Sequence, residues 1–307
     1  MPGSRFSAFF LLALANLLWS GNWIAGRALR DAFDPITLNF WRWVVATLVL
    51  APFALPQLWG KAALIRRHAG ILLLLALTGV AVFQGLVYLG LRTTTAVNAV
   101  LLNSSLPLFM LLCSWAIERE RASPRQIAGM LVSLAGILVI LSRGEPGALL
   151  QLETHGGDFW ILLAMPVWGI YSVLLKRRPP ELGGLEFLFV ISLAGVLMLA
   201  PAAAWQALQA PPRMPSAAEA LGVLYMGIGA SVLVFFFWNR GVSVVGANAA
   251  GFTVHLLPAF GTVLAILFLG EAFAGFHALG IATILAGVLL ATLAAPTRGA
   301  SARISTP

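Results

Sequence analysis

Long apolar stretches alternate with short polar segments along the whole chain. Ten of the stretches are long enough to cross a bilayer, since a membrane helix needs roughly 20 mostly apolar residues. We predict spans at approximately 6–26, 35–56, 69–90, 95–117, 124–142, 157–176, 184–205, 218–238, 246–269 and 273–295. Pro35 and Pro124 stand at predicted first helical turns, where proline is well tolerated. The pattern therefore predicts an all-α membrane protein with about ten transmembrane helices.

The composition of the chain supports the same conclusion. The chain has 307 residues, of which 60% are hydrophobic and only 10% are charged. Water-soluble domains carry about a quarter charged residues, so lipid must solvate this chain. Ten spans and their loops nearly use up the length, which leaves no room for a separate soluble domain. The first apolar run continues to about Ala25, longer than the apolar core of a signal peptide, so we expect it to remain as the first span.

The net charge of +8 comes from basic residues scattered among short loops. This distribution indicates membrane orientation and argues against a nucleic-acid-binding face. With a cytoplasmic N-terminus, thirteen Lys and Arg side chains lie inside and five outside, while Arg42 falls within a span. Because cytoplasmic loops are enriched in basic residues, we expect both termini in the cytoplasm and an even number of spans.

The two halves of the chain repeat each other. A shift of 151 residues places Pro107 on Pro258 and Gly129 on Gly280, and a shift of 149 places Trp19 on Trp168. We therefore predict a five-helix repeat at 1–143, a connecting loop at 144–156, a second five-helix repeat at 157–296 and a cytoplasmic tail at 297–307. Five is an odd number, so the second repeat is expected to be inverted relative to the first.

The repeated unit resembles a known family. It consists of Trp19-Ser20-Gly21-Asn22, Phe40-Trp41-Arg42-Trp43, Leu106-Pro107, Glu120 and Leu134-Ala135-Gly136, followed by Trp168, Pro258, Glu271 and Leu285-Ala286-Gly287. This pattern resembles the EamA-type ten-helix exporters of the drug/metabolite transporter superfamily over essentially the whole chain. The resemblance implies a secondary carrier that exports metabolites, often amino acids, across the bacterial inner membrane. Ile191 stands opposite Arg42, so any role of Arg42 is not shared by both repeats.

Polar and aromatic side chains inside several spans are the candidate substrate site. Polar groups are costly within a bilayer, so each invites a functional explanation. The candidates are Trp19, Asn22, Trp23, Gln84, Tyr88, Asn103, Trp168, Tyr171, Trp238 and His255. They are expected to converge on a central cavity with aromatic walls and uncharged hydrogen-bonding groups. The alternative is that they hold the helices together. Such a cavity suits a neutral or hydrophobic amino acid better than a phosphorylated metabolite, which would need several buried cations.

Three further residues within spans, and His255 again, have more specific predicted roles. Arg42 is expected to be structural and to contact helix-end carbonyls or the Asp31–Asp34 loop, because a buried charge needs partners. His255 is the only histidine deep in a span. It is either a proton relay or, as we favour, bonded to a serine or a carbonyl. Pro107 and Pro258 are predicted hinges at matching positions, or else static kinks.

The chain contains none of the common catalytic signatures, and we predict that it is not an enzyme. We expect no cofactor and no metal site. The expected partners are a small-molecule substrate and the lipid bilayer, without nucleic acid, and homodimerisation stays open. Alternative functions are transport of another metabolite class, a membrane receptor or an intramembrane enzyme. Because no carboxylate lies at mid-span, flux is expected to be facilitated diffusion or weakly coupled through His255.

The charge distribution predicts the topology of the loops. Reporter fusions should place loops near 61–68, 119–125 and 176–181 in the cytoplasm, and loops near 144–156 and 210–217 outside. A cytoplasmic signal from the 144–156 loop would contradict the inverted repeat, because that loop joins the two halves.

Overall fold

In the computed structural model, ten helices have the length and apolarity of membrane spans. The structure describes residues 4–209, 214–269 and 273–293. The helices are α1 (Arg5–Ala28), α2 (Pro35–Leu58), α3 (Ala69–Thr93), α4 (Asn98–Glu118), α5 (Pro124–Leu141), α6 (Gly156–Arg177), α7 (Gly184–Gln209), α8 (Ala217–Val245), α9 (Ala247–Leu264) and α10 (Gly275–Leu293). The predicted ten spans are confirmed. Glu271 and the 297–307 tail lie outside the described residues.

Two short helices lie in the connections. Ala62–Arg67 forms a helix between α2 and α3, and Pro146–Gln151 forms a 3₁₀ helix in the segment that joins the two halves. The described end of α8 extends past the predicted boundary at 238 to Val245. The span α9 consists of two helical segments, and the second of them, Leu256–Leu269, extends beyond Leu264.

Side chains cap several of the helix starts. Asp34 accepts a hydrogen bond from the Ile36 amide at 2.9 Å, and Pro35 follows it at the first helical position. Ser123 and Gln126 form a reciprocal capping box with bonds of 2.8 and 3.2 Å. Such caps satisfy amide groups that have no partner within the helix. These serine, aspartate and proline signals therefore explain where the spans begin.

Many large apolar side chains are exposed on the outside of the bundle, while several polar side chains are buried inside it. Leu48 is 67% exposed and Leu197 is 65% exposed, whereas Asn16, Asn39 and Arg42 are completely buried. An apolar exterior matches lipid as the surrounding solvent. The buried polar groups must therefore find their partners inside the helix bundle.

The third and eighth helices each contain a π turn, in which the helix widens and the regular backbone hydrogen bonding is interrupted. The turns are Leu77–Val82 in α3 and Ile228–Leu233 in α8. The first residues of the two turns are 151 positions apart, and so are the last residues, which is the shift that relates the two halves of the sequence. π turns within α-helices occur frequently at functional sites. The repeat is therefore preserved in backbone irregularities as well as in residue identities.

The fourth and ninth helices are interrupted at equivalent places. In α4 one helical segment ends at Asn103 and the next begins at Leu106. In α9 a 3₁₀ turn at Thr253–His255 separates the two segments. Pro107 and Pro258 follow these interruptions directly, so the structure places both prolines at breaks in their helices. Whether the breaks move as hinges stays a prediction.

Glycines bring α5 and α10 into close contact. Gly129 lies against Gly287 and Ala291, while Gly136 lies against Gly280 and Ile284. From the first contact to the second, the residue number rises in α5, from 129 to 136, and falls in α10, from 287 to 280, so the two helices are antiparallel. The 151-residue shift converts each contact into the other. Small residues allow membrane helices to approach this closely. This antiparallel pairing is consistent with repeats of opposite orientation.

The close approach predicts the effect of adding a methyl group. A Cβ at position 136 would lie 2.7 Å from the Gly280 oxygen and 2.7 Å from the Ile284 nitrogen. Gly136→Ala should therefore destabilise the protein by about 1–3 kcal/mol and lower its Tm in detergent. Gly261→Ala is the control, because its Cβ would meet no described atom within 4 Å. Equal melting temperatures for the two variants would contradict the proposed contact.

Candidate functional site

A small pocket lies between five helices that come from both halves of the chain. Its lining belongs to α1, α3 and α4 of the first half and to α6 and α9 of the second. The lining residues are Trp19, Trp23, Phe83, Gln84, Asn103, Leu106, Trp168, Val254 and Leu257. The free volume is about 10 Å³, roughly the space that one water molecule needs. The pocket is therefore nearly closed in this conformation.

The pocket lies where equivalent residues of the two repeats meet. Trp19 and Trp168 are equivalent under the 149-residue shift, and their rings pack edge to face at 4.9 Å. Leu106 and Leu257 are equivalent under the 151-residue shift, and both line the pocket. A site at the interface between inverted repeats is the usual arrangement in secondary carriers.

Aromatic rings around Trp168 fill the space behind the pocket. The Trp168 ring lies 4.6 Å from Phe83, 4.9 Å from Tyr171 and 5.5 Å from Trp238, measured between centroids. Tyr171 donates a hydrogen bond to Asn239 at 2.8 Å, and the Trp238 indole donates to Ser172 at 3.2 Å. Tyr171 and Trp238, which the sequence assigned to the cavity, therefore support its wall instead of lining it.

Arg42 forms a buried cluster beside the pocket. Its Nε donates to the Ser231 hydroxyl at 2.6 Å, one Nη to Tyr88 at 2.8 Å, and the other Nη to the Ala230 carbonyl at 2.8 Å. Tyr88 donates onward to Asn22 at 3.1 Å. Asn22 and Tyr88, both predicted to line the cavity, thus belong to this cluster.

The expected contact between Arg42 and the Asp31–Asp34 loop is wrong. The Asp34 carboxylate instead caps α2 and lies 3.6 Å from Arg92. The carbonyl that Arg42 reaches belongs to the π turn of α8, not to a helix end. The reason is that the widened turn presents backbone acceptors in the interior of the bundle, where a buried guanidinium can use them.

The helix α2 contacts both π turns. One turn before Arg42, the Asn39 amide donates to the Val80 and Ala81 carbonyls in the π turn of α3, at 3.1 Å each. The equivalent positions in α7 are Leu188 and Ile191, which offer no polar group. The two repeats therefore share their π turns but not the side chains that bind them.

His255 is fully buried where the interruptions of α4 and α9 meet. Its Nε2 donates to the Ser104 carbonyl at 2.9 Å, and its Nδ1 is hydrogen-bonded to the Ser133 hydroxyl. Ser104 and His255 are equivalent under the 151-residue shift, so this bond joins the two halves at their symmetry axis. Both ring nitrogens are occupied, and His255 does not line the pocket.

Five of the ten predicted cavity residues line the pocket, namely Trp19, Trp23, Gln84, Asn103 and Trp168. Sequence reasoning missed four apolar lining residues, which are Phe83, Leu106, Val254 and Leu257. The repeat offered a signal for two of them, because Leu106 and Leu257 occupy equivalent positions. Phe83 and Val254 have no feature that separates them from other apolar residues of the spans.

Comparison with known proteins identifies the family. Residues 6–142 and 155–293 match the model of the EamA-like transporter family. The chain belongs to this family. It is therefore a multi-pass membrane transporter. The family model matches each half of the chain separately, and both halves contribute residues to the pocket.

The proteins that are similar to this EamA-like transporter include two curated exporters and a solved structure. A probable terminal-alkyne amino-acid exporter from Streptantibioticus cattleyicolor is 28% identical over 92% of this chain and 92% of its own length. The aromatic amino acid exporter YddG from Ancylobacter novellus is 28% identical over 62% of this chain and 64% of its own. A crystal structure with a TM-score of 0.75 covers 95% of this chain and 98% of the other at 24% identity, which shows a shared fold.

Proposed function

We propose that this transporter is a secondary carrier that exports neutral or hydrophobic amino acids across the bacterial inner membrane. The observation that carries the proposal is the lining of the pocket between the two halves. Aromatic rings and neutral amides line it, and the described lining contains no charged side chain. The names of the two relatives, both amino-acid exporters, support this substrate class.

The chemistry of the lining matches an amino acid with an apolar side chain. Trp19, Trp23, Phe83 and Trp168 offer aromatic surface for the side chain, and Gln84 and Asn103 offer hydrogen bonds to the polar end. A phosphorylated metabolite would need cations along its path, because desolvating phosphate is expensive. The buried Arg42 is bound to three neutral groups outside the lining.

Transport in this proposal proceeds by alternating access. The pocket holds about one water molecule, so an amino acid can enter only when the lining residues separate. Both halves contribute to the lining, and each half has one π turn and one interruption before a proline. Rocking of inverted repeats about a central site would open it to each side in turn. Pro107 and Pro258 are the proposed hinges.

Flux of amino acids through purified protein tests this function. Proteoliposomes should exchange radiolabelled L-phenylalanine, and Trp19→Ala or Trp168→Ala should slow the exchange about tenfold or more, because each removes a large apolar surface. Trp205→Ala is the control, since Trp205 is 63% exposed near the end of α7. Thermal unfolding would verify that each variant is folded.

Two outcomes would contradict the proposal. Movement of only phosphorylated or strongly anionic compounds would refute the amino-acid substrate while leaving the family assignment intact. Equal loss of exchange in the Trp205→Ala variant would show that the effect does not come from the pocket.

A further inference from the structure

Two polar groups that line the pocket have no hydrogen-bond partner in the part of the chain that the structure describes. The Trp168 Nε1 and the Asn103 Nδ2 are buried and have no hydrogen-bond partner among the described residues. Gln84 is only 3% exposed, and the structure gives its amide no hydrogen bond within the described part of the chain. An indole N–H can only donate, and each amide carries two donors. The pocket therefore presents unsatisfied donors.

An unpartnered donor alone does not mark a binding site. The Trp43 Nε1 also lacks a partner among the described residues, yet Trp43 packs against Phe235 and does not line the pocket. Trp168, Asn103 and Gln84 differ because they come from three helices and line the same small space. Buried donors that converge in this way call for an acceptor, which can be an ordered water molecule or a group of a ligand.

Two helix segments begin beside the pocket, and the segments that precede them end there, so the opposite partial charges of these helix ends largely offset each other. The segments that begin there are Leu106–Glu118 and Leu256–Leu269, since Leu106 and Leu257 line the pocket. Among the nine lining residues there is no Asp or Glu that could pair with an ammonium group. A substrate ammonium group therefore finds no acidic partner in this lining, whereas a carboxylate can accept hydrogen bonds from the unpartnered donors.

We infer that Trp168, Asn103 and Gln84 form a seat for the carboxylate of the substrate, and that the substrate's ammonium group contributes little to recognition. This inference refines the proposed amino-acid carrier and rests on it. A carboxylate offers two oxygens with about four acceptor positions, and its charge strengthens each hydrogen bond. The ligand class is thus an apolar body that ends in a carboxylate, with or without an amine.

Three related compounds separate the contributions of the two charged ends. 3-Phenylpropionate has the carboxylate without the amine, 2-phenylethylamine has the amine without the carboxylate, and 3-phenylpropionamide has neither charge. Binding to the purified full-length protein would be measured by ligand-induced thermal shift. 3-Phenylpropionate should bind within about tenfold of L-phenylalanine, and the other two should bind about tenfold or more weakly.

Replacing the indole of Trp168 by a smaller ring without an N–H tests the proposed donor. Trp168→Phe keeps an aromatic ring but removes the N–H, so the affinity for 3-phenylpropionate should fall about tenfold. Trp43→Phe is the matched control, because it removes an unpartnered indole N–H outside the pocket, and it should leave that affinity unchanged. If Trp168→Phe does not fold, Asn103→Leu removes a second donor of the seat and should weaken binding in the same direction.

The outcomes distinguish this inference from the proposed function. Tight binding of 2-phenylethylamine, or unchanged affinity for 3-phenylpropionate in both Trp168→Phe and Asn103→Leu, would overturn the carboxylate seat even if L-phenylalanine exchange persists. Failure of all three compounds to bind would overturn it as well. Binding of 3-phenylpropionate without any exchange of L-phenylalanine would support the seat and refute amino-acid transport.

Discussion

Backbone hydrogen bonding inside a bilayer is the constraint on which this structure depends. Lipid offers no partners to free N–H and C=O groups, so any departure from a regular helix must be satisfied within the protein. Four of the ten described spans depart from regular geometry, namely α3, α4, α8 and α9. Side chains of α2 bind carbonyls in both π turns, through Asn39 in α3 and Arg42 in α8. The irregular turns thus persist because buried donors reach them.

The way α2 binds these turns makes the two halves unequal. Both repeats contain a π turn and a proline after a helix interruption. In α2, Asn39 and Arg42 donate hydrogen bonds to the π turns, whereas the equivalent positions of α7 are the apolar Leu188 and Ile191. The Arg42 cluster also reaches the site, because Arg42 binds Tyr88 and Tyr88 binds Asn22, the neighbour of the pocket residue Trp23. Hydrogen bonds therefore connect the π turn of α8 to Asn22, whose chain neighbour Trp23 lines the pocket.

The fold could be predicted from the sequence because lipid imposes long apolar runs, and because the repeat is visible in prolines, glycines and tryptophans. The π turns could not, since Leu77–Val82 lies within an apolar span, and Thr78 and Gly79 in it are residues that also occur in regular membrane helices. The partners of Arg42 were equally hidden, because Ala230 is 188 positions away in the chain. Only half of the predicted cavity residues line the pocket, since a polar residue in a span has the same appearance whether it faces a pocket, as Asn103 does, or another helix, as Asn22 does.

Hydrogen–deuterium exchange tests most directly whether α2 holds both π turns. Asn39→Leu should increase amide exchange around 77–82 and leave 228–233 unchanged, because it removes the donor to α3 alone. Arg42→Lys should increase amide exchange around 228–233 and leave 77–82 unchanged, because a lysine cannot reproduce the three hydrogen bonds of the guanidinium. Unchanged exchange in both turns, or an equal increase in both turns for each variant, would contradict the account.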